Sequence, residues 1–221
     1  VRDVNEYAKF FLKKNLDSNP NTFDGNMKLQ KLLFFANLIN FSKHNSLLFE
    51  ESMLAFENGT VIEEVRKRYR NDYHSYKQEA KNFNPDFTQE EYDVLNDTIS
   101  IFGNLSAKEL SELNHQFDFW SVRFETSTLS NGYHDKTLAR ITTNDISKEI
   151  HKISNMLNAY TQNFVGSDET YEIVNGVTFF YNPNEVELEE LLPQLERISS
   201  LPEIDDDTYS ICLEDGELII I

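Results

Sequence analysis

Met27-Lys28-Leu29-Gln30-Lys31-Leu32-Leu33-Phe34-Phe35 is the stretch on which the reading of this chain turns. Continued to Ile39, it puts Leu29, Leu32, Leu33, Ala36 and Ile39 on one helical stripe, which Phe34, Phe35 and Leu38 widen. A helix apolar over that much of its circumference is central to a core. The pattern predicts that it begins near Met27 and runs to about Ser42. A polar loop, Ser18 to Asn26, is expected before it, with Asp24-Gly25 as a turn.

Working outward, Val4, Tyr7, Ala8, Phe11 and Leu12 predict an amphipathic first helix. Residues 46–62 read as short extended pieces around Asn58-Gly59, a strong turn dipeptide. The run Arg66-Lys67-Arg68-Tyr69-Arg70 is the dense positive patch of the chain, expected on a short helix from near Ile62 as a solvated face offsetting Glu63 and Glu64. Thr88-x-x-Glu91 and Ser106-x-x-Glu109 have capping-box spacing, each before a helical pattern. A further helix is expected from about Asp145 to Tyr160. Beyond it, Tyr171–Tyr181 around Asn175-Gly176 reads as a hairpin. A helical stretch from Val186 to Ile198 follows, which Pro193 should kink or split. Thr208–Ile221 reads as a second β pair. The expected fold class is α+β: a mostly α-helical N-terminal platform with a short β-hairpin, followed by a small acidic ββαββ-like C-terminal unit.

Charge supports a boundary. The 221 residues hold 38 Asp/Glu and 20 Lys/Arg, a net −18. Residues 1–160 contribute 19 Lys/Arg and 23 Asp/Glu, a net −4; residues 161–221 contribute Arg197 against 15 acids, a net −14. A domain at 1–160 and an acidic extension at 161–221 are therefore expected. This balance argues against nucleic acid as a direct partner, because phosphate binding needs clustered cations. It argues equally against anionic membrane surfaces. The single cysteine, Cys212, cannot pair within the chain, so a reducing, cytoplasmic setting is expected. The charged first fourteen residues predict no signal peptide, and the longest apolar run, Leu32–Ala36, is too short to span a bilayer.

The residues give no catalytic constellation. His44, His74, His115, His134 and His151 lack zinc spacing, and no Gly-rich phosphate loop or nucleophile elbow is present. Asp205-Asp206-Asp207 lacks the alternating ligands of a calcium loop. No enzyme, metal or cofactor is expected. His115 ends a short helix, with Trp120 in the loop beyond. The preferred reading is a charged or dipolar His capping the last carbonyls while the indole pins the loop; the alternative is a base or ligand contact.

Three motifs resemble the Panacea domain of SocA-like (GepA-like) bacterial and phage antitoxins, over roughly residues 1–160. The first is Lys28-Leu29-Gln30-Lys31-Leu32 with the residues around it. The second is Leu48-Phe49-Glu50-Glu51 with Ala55-Phe56-Glu57-Asn58-Gly59-Thr60-Val61, where Thr60 stands in the family's proline position. The third is Leu110–His115 with Trp120. The resemblance implies a non-enzymatic antitoxin that neutralises a protein toxin by direct binding; the SocA branch implies an adaptor delivering its toxin to a ClpXP-type protease. The motif residues Lys28, Leu29, Gln30, Lys31, Leu32, Gly59, Val61, His115 and Trp120 read as fold determinants, with Lys28 and Gln30 expected exposed. The acidic extension would face a basic toxin surface. Phe179, Phe180 and Tyr181 are the anchor candidates, and Glu185, Glu187, Glu189, Glu190, Asp205, Asp206 and Asp207 the charged contacts. A phage-encoded nucleic-acid mimic aimed at a host defence protein is the other alternative.

Overall fold

Asp3 fixes the start of the first helix, α1 (Val4–Lys13), by accepting from the Asn5 N–H. Its buried face is the expected one, and Asn5 joins it. The computed structural model describes residues 2–164, 170–175, 177–181, 188–201, 208–214 and 217–220. The chain divides into two compact units, Val1–Leu157 and Asn158–Ile221. Among the described residues no helix is long and apolar enough to cross a membrane.

The central helix, α2 (Phe23–His44), starts a full turn before Met27 because Thr22 caps it, its Oγ1 accepting from Gly25 N at 3.1 Å. Asp24-Gly25 is thus the first turn of the helix and not a loop turn. Gly25 is required for closeness: a Cβ there would stand 2.2 Å from the Asn19 carbonyl oxygen and 2.5 Å from the Tyr69 hydroxyl. Asn45, left-handed at φ 52°, ends the helix. Burial runs around the whole cylinder from Lys28 to Phe41. Phe35 stacks on Phe102 at 4.1 Å between ring centroids, and Phe34 meets Phe117 edge-on at 5.9 Å. Each such ring removed from water contributes about 1.5–3 kcal/mol.

A hairpin follows, β1 (Met53–Phe56) and β2 (Gly59–Ile62), paired antiparallel from Met53↔Ile62 to Phe56↔Gly59. Residues 139–141 run along its β1 edge, where Ala55 N donates to Ala139 O and Ile141 N to Met53 O, both at 2.9 Å. The basic run lies on α3 (Glu63–Asn82), twenty residues long and non-helical at Asp72. The sequence suggests a short helix because the buried face beyond Val65 is built mainly from Tyr69, Tyr73 and Tyr76, whose hydroxyls mask the apolar periodicity. The tyrosine bodies join the core while their hydroxyls find partners. Tyr76 donates to Asn5 Oδ1 at 2.7 Å, and Tyr69 and Tyr73 donate to Asp17 Oδ2 at 2.9 and 2.8 Å. The positive run is partly neutralised on its own helix, Arg66 by Glu63 at 3.2 Å and Arg68 by Glu79 at 2.6 Å.

Both capping boxes form. They open α4 (Gln89–Phe102) at Thr88 and α5 (Ala107–His115) at Ser106. Trp120 is not in a loop: it lies in α6 (Asp118–Ser127), whose first N–H groups reach the Glu149 carboxylate at 3.0 and 2.7 Å. Glu149 belongs to α7 (Thr143–Phe164), within which the first unit ends.

The second unit contains β3 (Thr170–Val174), β4 (Val177–Tyr181), α8 (Leu188–Ile198), β5 (Thr208–Glu214) and β6 (Glu217–Ile220). The strand order is β3-β4-β5-β6, with β4 and β5 parallel and the outer pairs antiparallel. The parallel pair needs a crossover, and α8 lies between those strands in the chain. Its helix runs unbroken through Pro193 rather than splitting there. Val174, Phe179, Tyr181, Leu191, Leu195 and Ile211 form the core of this unit. Phe179 and Tyr181 are 0% and 3% exposed and pack within this core. Alternation sends Phe180 to the other face, where it is half-buried.

Asp17 tests how far α1, α3 and the intervening loop depend on one buried carboxylate. It also accepts from Lys77 Nζ at 3.0 Å and is wholly buried. Asp17→Asn should cost ~3–5 kcal/mol in urea unfolding, because it strands a partly buried ammonium. Adding Lys77→Met should restore part of that loss.

Candidate functional site

The polar residues of the quoted stretch face inward. Lys28 and Gln30, expected on the surface, are 4% and 2% exposed, and Lys31 is 1% exposed. Each clasps the backbone of a neighbouring segment. Lys28 Nζ donates to Gly103 O at 2.7 Å, at the carbonyl end of α4 where a cation suits the helix dipole, and to Ser18 Oγ at 2.8 Å. Gln30 Oε1 accepts from Ile62 N at 2.8 Å, and Lys31 Nζ donates to Thr60 O at 2.9 Å, so both hold β2. Leu29 and Leu32, between them, are fully buried.

The hairpin turn is gripped from its other side by α5 and α6. Asn114 Oδ1 accepts from Thr60 N, a hydrogen that a proline in this position would lack. Ser111 Oγ donates to Asn58 O and Trp120 Nε1 to Phe56 O, both at 3.0 Å. Gly59 has φ +91°, and a Cβ would stand 2.5 Å from Asn114 Oδ1 and 2.7 Å from Lys31 Cε. Val61 is buried beside it. His115, the last residue of α5, faces Trp120. Its ring stacks on Trp120 at 3.9 Å, and burial, followed by the nearby Lys31 charge, lowers its pKa. The stack continues from Trp120 to Phe124 at 5.4 Å and from Phe124 to His134 at 4.7 Å.

Beside this node opens a cavity of about 640 Å³, a size suited to a small ligand. The start of α2, the hairpin turn and the first turns of α3 wall it. Phe23, Met27, Phe56, Val61 and Tyr69 give it apolar surface, and Lys31, Arg66 and Arg70 give it positive charge against Glu57. Arg66 Nε is buried without a partner among the described residues, and its guanidinium lies 6.0 Å from the Phe56 ring centroid. Burial brings the Lys31 ammonium from 10.5 down to about 7. No group of three or more acidic, His or Cys side chains that could hold a metal occurs among the described residues.

Residues 29–121 match the Antitoxin SocA-like, Panacea domain family. The matched Panacea segment contains most of α2, the hairpin, α3 to α5 and the start of α6, and so the whole gripped turn. No curated protein and no solved structure matches the chain. The motif residues Gln30, Lys31, Gly59, His115 and Trp120 converge on or near one turn, and Lys28 instead holds the end of α4. Sequence reading missed Asn114, Arg66, Arg70 and His134 as members of the neighbourhood. A lysine flanked by leucines was the available signal, since a cation in an apolar stripe needs an acceptor.

Of the acidic-extension candidates, Glu189 and Glu190 lie in the first turn of α8. Glu185, Glu187, Asp205, Asp206 and Asp207 lie outside the described residues.

Two outcomes follow. Gly59→Ala should lose about 1–3 kcal/mol from backbone strain alone, plus the cost of moving Asn114 and Lys31, measurable as a lowered urea midpoint. The second concerns pH. Lys31 in the folded chain binds its proton more weakly than in the unfolded chain, so the unfolded state holds more protons above about pH 7. Stability should therefore rise with pH between about 7 and 10. Lys28, also lowered by burial, acts in the same direction. Above that range the buried Tyr7, Tyr69, Tyr73 and Tyr76, whose pKa values burial raises, reverse the trend. Urea midpoints at pH 7, 8 and 9 should climb in the native chain and climb less in Lys31→Met.

Proposed function

We propose that this protein is a non-enzymatic antitoxin that neutralises a protein toxin by binding it directly. The observation that carries this reading is the Panacea-family match over residues 29–121. The motif residues support it in a particular way. Nearly all of them are spent on internal contacts, so the motif maintains a platform, and partner contacts belong to other surfaces.

The proposed organisation is a Panacea-like platform at 1–160 and an acidic ββαββ unit at 161–221. The fall of the boundary between the two compact units at Leu157/Asn158 supports it, as does the −14 carried by residues 161–221. An acidic unit on a cytoplasmic antitoxin suits a toxin with a basic surface. Opposite fields speed encounter and disfavour wrong partners, while apolar contacts set the lifetime of the complex. Phe180 is the aromatic candidate for such a contact, with the acidic side chains around it in sequence.

Co-expression with the product of the neighbouring gene tests the reading. The full chain should restore growth and co-purify with that product. A full-length variant carrying Glu189→Gln, Glu190→Gln, Asp205→Asn, Asp206→Asn and Asp207→Asn should associate more slowly, by about ten-fold at low salt, with little change at high salt. Absence of rescue and co-purification by the native chain overturns the antitoxin reading. Rescue that depends on a ClpXP-type protease replaces direct neutralisation with delivery. An unchanged association rate in the variant removes the role assigned to the acidic unit.

A further inference from the structure

We infer that the cavity between the start of α2, the hairpin turn and α3 is a binding site for a small organic anion with a flat apolar body. The inference does not rest on the antitoxin reading. It begins with a contrast of charge: in a chain of net −18, this cavity is lined by Lys31, Arg66 and Arg70 against the single carboxylate of Glu57.

The donors of Lys31 and Arg66 are also incompletely satisfied, while Arg70 is exposed. Lys31, 1% exposed, has one hydrogen-bond acceptor among the described residues, the Thr60 carbonyl, although an ammonium carries three donors. No carboxylate of the described residues lies within ion-pair distance of it, and the same holds for Arg70. Arg66 shares Glu63 with Lys67 and Lys136, and its buried Nε has no acceptor among the described residues. A buried donor without an acceptor is costly, and an anion in the cavity would supply one to several donors together.

The body of the ligand is set by the remaining wall. Phe56 lies beneath the Arg66 guanidinium, and Phe23, 68% exposed, stands at the rim with Met27 and Val61 beyond. Such walls favour a planar apolar group over a compact inorganic ion. The first turn of α2, reaching the cavity at Thr22 and Phe23, adds its positive dipole end.

The test uses the purified full chain with two matched probes, the anion 8-anilinonaphthalene-1-sulfonate and its uncharged analogue N-phenyl-1-naphthylamine. The anion should bind one saturable site at least about ten-fold more tightly than the neutral probe. The full-length double variant Arg66→Gln, Arg70→Gln should lose about ten-fold in anion affinity while keeping neutral-probe affinity and circular dichroism unchanged. A second variant, Lys67→Gln, on the same helix but outside the cavity lining, should bind like the native chain. Equal affinity for both probes, no saturable site, or a Lys67→Gln effect as large as that of the double variant would each overturn the inference. Because no toxin is present in the assay, its failure leaves the antitoxin reading standing, and failure of growth rescue leaves this one standing.

Discussion

Everything in the first unit depends on one constraint: α2 is buried on every side, yet it carries polar side chains. A buried ammonium or amide must find a partner or forfeit several kcal/mol. The helix meets this by turning each polar group onto the backbone of a neighbour. Lys28 holds the end of α4, Gln30 and Lys31 hold β2, and Asn37 accepts from Leu48 N at 2.7 Å. Segments far apart in sequence are thus registered against one cylinder. Removing a clasp strands a donor or acceptor in the core, which explains why the quoted stretch alternates leucine with lysine and glutamine instead of being uniformly apolar.

The hairpin turn is where these clasps meet those of α5 and α6. Its two strands are four residues each, too short to be stable alone. Their turn is held by Lys31 on one side and by Asn114, Ser111 and Trp120 on the other, and Gly59 is the residue small enough to sit between. The cavity opens beside this turn, between the start of α2 and α3. The cavity's lining is positive, whereas residues 161–221 carry a net −14 in sequence.

Among the details, local signals were the legible ones. The stripes of α1 and α2, the capping boxes of α4 and α5, and the Asn58-Gly59 turn each involve residues within a few positions of one another, so spacing alone reveals them. The length of α3 was hidden because its buried face is tyrosine, whose polarity masks periodicity until Asp17 and Asn5 are seen to receive the hydroxyls. The true start of α2 was hidden because Asp24-Gly25 is also good turn chemistry. It took Thr22 as a cap and the close approach of Asn19 and Tyr69 to decide for helix. The burial of Phe179 and Tyr181 was hidden because a strand in isolation does not say which of its faces will be covered.

By itself, the sequence determined the α-rich class, the centrality of α2, the capped helix starts and the concentration of negative charge after residue 160, since all of these are sums or short-range spacings. Tertiary structure alone decided that Lys28, Gln30 and Lys31 point inward, that His115 stacks on Trp120, and that Arg66 and Arg70 share a cavity with Lys31. These depend on acceptors and surfaces contributed by segments tens of residues away, and periodicity can name an apolar face but not the backbone carbonyl waiting opposite it.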